Sequence, residues 1–112
     1  MPRHGIDYSK CLMYKIVCKD LSVKDLYVGH TTNWIQRKQK HKTSCNNNKI
    51  DVKIYICMRQ NGGWDNWEMI LIEEFSCHND LEASARERYL MESLNGNLNT
   101  NRPTITPGKK RI

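Results

Sequence analysis

No stretch of this chain approaches the ~18–20 consecutive apolar residues that a membrane span needs. The longest apolar run near the start, Cys11 to Tyr14, is four residues long. Residues 1–10 are polar, with no apolar block and no small-residue cleavage site, which argues against a secretory signal and for an intracellular protein. Cys-x-x-Cys does not occur among the five cysteines, whose odd number and wide spacing suit free thiols in a reducing compartment. A zinc set drawn from His41, Cys45, Cys77 and His78 lacks the usual ligand spacing. There is no internal repeat, and no low-complexity tract beyond Asn46-Asn47-Asn48. No zinc finger, helix-turn-helix or other separate nucleic-acid-reading module is visible.

What is present fits one small domain. The 112 residues leave no room for two packed domains, and a chain of this size can bury about two-thirds of its unfolded surface. We expect a core over about residues 11–103, followed by a basic, mobile tail at 104–112. The 18 Lys and Arg against 12 Asp and Glu give a formal charge of +6, which favours an anionic partner without naming one.

Two β-rich runs, Cys11–Cys18 and Leu26–Gly29, are separated by a polar linker and predict an antiparallel hairpin. Thr31-Thr32-Asn33 can cap a helix over Trp34–Lys42, with Trp34 and Ile35 toward the body. That helix would present Arg37, Lys38, Lys40 and Lys42 to solvent or ligand and break at Ser44–Asn48. Residues 50–60 match both strand alternation and a helical stripe; their length and the terminal Asn61-Gly62-Gly63 favour a helix. Trp67–Phe75 is the clearest strand, and its Met-Ile-Leu-Ile centre predicts burial on both faces. Asn79 or Asp80 can cap a final helix that runs to about Leu94, with Leu81, Ala85, Tyr89 (or Arg88) and Leu94 as its apolar side. Asn95-Gly96-Asn97 ends it. The order β-β-α-α-β-α predicts an α+β fold, a small three-stranded antiparallel sheet flanked by helices.

Several chemically capable residues fall in a definite order: Tyr14 in Met13-Tyr14-Lys15, Tyr27-Val28-Gly29, Arg37 and His41 four apart on one helix, Glu87 in Arg86-Glu87-Arg88-Tyr89, and Asn99 in an Asn-rich segment. Taken singly, each has a plain structural reading. The tyrosines can pack a sheet, Arg37 can belong to a solvated basic face, His41 to the surface, Glu87 to a helix ion pair and Asn99 to a turn. Taken together, over roughly residues 12–103, the set resembles the GIY-YIG endonucleases. Tyr27-Val28-Gly29 stands for the second tripeptide and Leu12-Met13-Tyr14 departs from the first, keeping its tyrosine. Arg37 and His41 match the family's Arg-x-x-x-His, Glu87 its catalytic glutamate, and Asn99, with Asn101 as a rival, its C-terminal asparagine.

The resemblance implies a phosphodiester hydrolase acting on DNA, with Tyr14 as general base and Tyr27 orienting phosphate or water. The residue chemistry is compatible with that. A guanidinium forks onto phosphate oxygens and stays charged, which suits Arg37, and His41 at i+4 could point to the same phosphate. A single implicated carboxylate, Glu87, suits one Mg²⁺ or Mn²⁺ ion that keeps most of its waters. A free tyrosine has a pKa near ~10, so Tyr14 as base needs positive charge nearby, with Lys15 or His30 as candidates. The basic residues Arg37, Lys38, Lys40 and Lys42, and four more in the tail, would bind backbone phosphate without reading sequence, in a salt-dependent way. A minimal nuclease of weak intrinsic specificity, or one aided by a partner, is the first expectation. A catalytically inactive nucleic-acid-binding module on the same scaffold is the alternative, and an unrelated basic adaptor that binds protein is a third.

Overall fold

The computed structural model describes residues 6–99. Three strands form one antiparallel sheet in the order β2-β1-β3: β1 is Leu12–Cys18, β2 is Leu26–Thr31 and β3 is Trp67–Glu74. The helices are α1 (Trp34–Cys45), α2 (Lys53–Gln60) and α3 (Asp80–Leu94). This is the predicted order and the predicted α+β layout. Residues 50–60 are resolved in favour of helix.

β1 is the central strand and is covered on both faces, so strand alternation sorts its side chains into two cores. Tyr14, Ile16 and Cys18 face α1 and α2, meeting Cys45, Ile54, Tyr55 and Met58. Cys11 and Met13 face α3, meeting Val28, Ala83 and Leu90. Burial on both faces had been expected of β3, but β3 is an edge strand. Ile70 keeps 36% of its surface and Leu71 46%, because the helices pack chiefly over β1 and β2 and leave this edge of the sheet thinly covered. Near its end β3 carries a β-bulge. Met13 pairs with Glu73 and Tyr14 with Leu71, so Ile72 is the extra residue.

The helix ends follow their capping chemistry. Asn33 accepts the Gln36 N–H at 3.1 Å and Asn79 the Glu82 N–H at 2.9 Å, each taking up an amide the helix leaves free. Asn95, at φ 60°, ends α3 in the left-handed conformation that asparagine tolerates. Gly62 and Gly63, at φ 97° and 77°, follow α2. α1 continues through Ser44 and Cys45, beyond the expected break, because Cys45 belongs to the core.

Two helix faces differ from expectation, for a shared reason. The inward stripe of α3 is Ala83, Glu87, Leu90 and Leu94, while Leu81, Ala85 and Tyr89 lie outside. On α1 it is Trp34, Arg37, His41 and Cys45, with Ile35 81% exposed. Each stripe has polar, chemically active residues at its centre, which hides it from a search for apolar periodicity.

Candidate active site

The site is built around a close approach between neighbouring strands. Tyr14 on β1 and Gly29 on β2 are directly paired, and the Tyr14 ring lies across the glycine. A Cβ at position 29 would stand 2.6 Å from the Tyr14 hydroxyl and 2.7 Å from Cζ, so only glycine leaves room for the ring. The glycine of Tyr27-Val28-Gly29 is therefore a space requirement.

Beneath the sheet, Tyr14 joins a buried hydrogen-bonded chain. The Nε–H of Arg37 donates to the Tyr14 oxygen at 3.2 Å. That hydroxyl lies 2.7 Å from His41 Nε2, and His41 Nδ1 lies 2.8 Å from the Tyr55 hydroxyl. Burial, reinforced by the charges of Arg37 and Lys40, lowers the His41 pKa to about 4, so the ring is neutral. Burial, with Tyr27 beside it, pushes the Tyr14 phenol well above its ordinary range, against the pull of Arg37.

Above this chain opens a polar cleft of about 660 Å³ whose lining includes Tyr27, His30, Arg37, Lys40 and Glu87. Arg37 belongs to both the cleft and the buried chain. Burial, with Glu87 nearby, raises the Tyr27 pKa, and Arg37 opposes the rise. His30 bridges two carboxylates. Nδ1 lies 2.7 Å from Glu87 Oε1 and Nε2 3.3 Å from Asp80 Oδ1. Carboxylates favour the protonated ring, and the hydrogen bond to Glu87 raises the His30 pKa despite partial burial.

Glu87 is the natural place for a cation. Among the described residues its Oε2 takes no hydrogen bond, and it faces a cleft with room for water. No group of three or more His, Cys, Asp or Glu gathers into a metal cage among the described residues. One hard carboxylate in a wet cleft fits a hydrated Mg²⁺ or Mn²⁺ ion and does not fit a closed transition-metal centre.

The expected residues thus divide into groups. Tyr27, Arg37 and Glu87 reach the cleft from β2, α1 and α3. His41 does not share a phosphate-facing position with Arg37; it is 2% exposed and turned into the core. Tyr14, expected as the base, is likewise fully buried, because its side of the central strand is roofed by α1 and α2. The positive charge beside Tyr14 is Arg37, since alternation sends Lys15 to the other face of the sheet and His30 serves Glu87. Asn99 braces β2, its Oδ1 accepting the Val28 N–H at 2.8 Å and its Nδ2 donating to the Val28 carbonyl at 2.5 Å. Lys40 lines the cleft, whereas Lys38 and Lys42 line a separate groove with Trp34 and Trp64. Asn101 and the basic tail lie outside the described residues. Asp80 and Tyr55 were missed by sequence reading. Asp80 reads as a first-turn helix residue and Tyr55 as a core aromatic, and neither stands in a motif.

Residues 10–99 match the model of the GIY-YIG catalytic domain. The chain belongs to the GIY-YIG family. Two solved structures share its fold. One, described as the catalytic domain of the homing endonuclease I-TevI, has a TM-score of 0.65 at 21% identity, over 85% of this chain and 99% of that one. A glutamate-to-alanine variant of the intron endonuclease I-TevI catalytic domain has a TM-score of 0.64 at 20% identity, over 88% and 98%. No curated protein matches the chain. As a GIY-YIG nuclease domain the chain is a phosphodiester hydrolase with DNA as the substrate class, in a family that generally uses divalent metal ions.

Proposed function

We propose that this GIY-YIG domain is a divalent-metal-dependent DNA endonuclease that cuts at the cleft between α1 and α3, with one Mg²⁺ or Mn²⁺ ion held by Glu87. The observation that carries the reading is the convergence of Tyr27, Arg37 and Glu87, from three elements distant in sequence, on one polar cleft. The bound ion would supply an acidified water and offset charge building on the phosphate. Arg37 grips non-bridging phosphate oxygens and stabilises the charge that grows on them in the transition state. Lys40 adds backbone affinity from the same wall. His30 orients the Glu87 carboxylate through Oε1 and leaves Oε2 without a hydrogen bond among the described residues.

A tyrosine serves as the general base. Of the two tyrosines that line the cleft, Tyr8 donates its hydroxyl to Asp80 and Tyr27 has Arg37 beside it, so Tyr27 is the base: its phenolate form, favoured by the Arg37 charge against burial, takes the proton of the nucleophile. Tyr14, His41 and Asn99 act from behind: Tyr14 and His41 hold Arg37, and Asn99 holds the strand that carries Tyr27.

A supercoiled-plasmid nicking assay with Mg²⁺ and with EDTA tests this. Arg37→Ala should lower turnover by ~10²–10³-fold, the scale for one lost transition-state donor. Glu87→Gln should abolish metal-dependent nicking and spare retention of DNA on a filter. Tyr27→Phe should cost more turnover than Tyr14→Phe, and the reverse order would move the base to Tyr14. A parent protein that binds DNA but never nicks it with either metal would leave the non-cutting module as the better reading.

A further inference from the structure

Tyr55 lies on α2, away from every motif of the family resemblance. It is 9% exposed, and its hydroxyl stands 2.8 Å from His41 Nδ1. The neighbouring bonds fix which way protons point. The Tyr14 oxygen already receives the Arg37 Nε–H, and the Tyr14 O–H, with no exposure to water, needs an acceptor. His41 Nε2, at 2.7 Å, provides it. A neutral imidazole carries one N–H, so the proton sits on Nδ1 and donates to the Tyr55 oxygen.

We infer that Tyr55 is a positioning residue of this nuclease: by accepting the Nδ1–H of His41 it sets that ring's tautomer and, through Tyr14, the aim of the Arg37 guanidinium at the cleft. The inference rests on the cleft being the site of cutting proposed above. Without an acceptor at Nδ1, the ring is free to carry its proton on Nε2. Two donors, Nε2–H and the Arg37 Nε–H, would then face one phenol oxygen, and the Tyr14 proton would have no partner. The chain is relieved only if Arg37 lets go of Tyr14. Lys40 and the cleft walls would still bind DNA, so the loss would fall on the transition state.

The test uses Tyr55→Phe, which keeps the ring and removes the oxygen. Its kcat for plasmid nicking should fall by roughly tenfold or more, the scale on which orienting partners act, with KM nearly unchanged. In protein labelled with ¹⁵N-histidine, with His41 assigned by loss of its signals in His41→Gln, the parent should show the Nδ1–H form. Tyr55→Phe should show the Nε2–H form. An Nε2–H tautomer in the parent overturns the inference. So does a Tyr55→Phe protein whose tautomer switches while kcat stays at the parent value, or one whose loss appears in KM alone. Should Tyr55→Phe fail to fold, 3-fluorotyrosine at position 55 weakens the acceptor with little change of shape and should lower kcat in the same direction; an unchanged kcat overturns the inference. A parent with the Nδ1–H tautomer but no nicking activity would instead sink the nuclease reading, because the NMR measurement does not depend on catalysis.

Discussion

Gly29→Ala isolates the link between the second tripeptide and the buried chain. The added methyl would stand 2.6 Å from the Tyr14 hydroxyl and 2.7 Å from Cζ, about 0.8 Å inside ordinary contact. Tyr14 cannot yield freely, because its hydroxyl is held by Arg37 and His41 and its ring packs edge-on against Trp34 at 5.9 Å between centroids. Overpacking of this kind costs about 1–3 kcal/mol. If the ring shifts far enough to break the bond to His41, a buried donor left unmade adds about 1–3 kcal/mol. A total near ~3 kcal/mol should lower the melting temperature of a domain this size by more than ~10 °C. Nicking should fall together with stability, since the residue that moves is the one that holds Arg37. The decisive comparison is a double-mutant cycle with Tyr14→Val, monitored by thermal denaturation. Without the ring, Gly29→Ala should cost little, giving a coupling of at least ~1.5 kcal/mol. Equal costs in the two backgrounds would refute the claim that the glycine exists to make room for the tyrosine.

Three further outcomes follow from the geometry. His41 is 2% exposed, with its pKa lowered to about 4, so between pH 6.5 and 4 the unfolded chain binds the proton that the folded chain refuses. The His41 contribution to stability should therefore fall as pH drops through that window, by about 3 kcal/mol, and level off below it; denaturant titrations in which His41→Gln has the same slope as the parent between pH 6.5 and 4 would contradict this. Asn99→Asp keeps the acceptor for the Val28 N–H but sets a carboxylate against the Val28 carbonyl in place of a donor, and urea denaturation should register a loss of about 1–3 kcal/mol. Lys40→Ala should reduce the slope of log affinity against log salt by roughly one phosphate contact, whereas a cleft-filling short duplex should be indifferent to Lys42→Ala, which lies in the other groove.

The strand and helix order was legible because β-rich runs, Asn caps and Asn/Gly stops are local signals, and α2 and α3 end where their Asn and Gly residues place them. Strand order was less legible. Cys11–Tyr14 and Met69–Ile72 are similarly apolar, yet only β1 is paired on both sides. The helix faces were misjudged because the inward rows of α1 and α3 carry Arg37, His41 and Glu87, residues that look like solvent-facing positions until the cleft is seen. Of the candidate site, the ordered set of motif residues led to the right region. The division between cleft residues and buried support depends on contacts between distant elements, which no spacing along the chain encodes. Tyr55 was out of reach for the same reason, since its meaning lies in the ring it touches.

The bulge at Ile72 has an effect well beyond its own strand. Up to Met69, β3 contributes to the α2 side of the sheet, through Trp67 and Met69. The extra residue shifts the phase, so that Glu73 pairs with Met13 and Phe75 reaches Cys11, both on the α3 side. There Glu73 takes the Arg86 guanidinium on both oxygens, at 2.6 and 2.9 Å, while Arg86 also lies 5.6 Å from the centre of the Phe75 ring. Arg86 is the immediate neighbour of Glu87, so this grip adds a tether to β3 beside the buried Ala83 and Leu90 contacts that seat α3. One surplus residue on an edge strand thus brings Glu73 and Phe75 to the side of the sheet where they hold the residue next to the acidic side chain of the cleft.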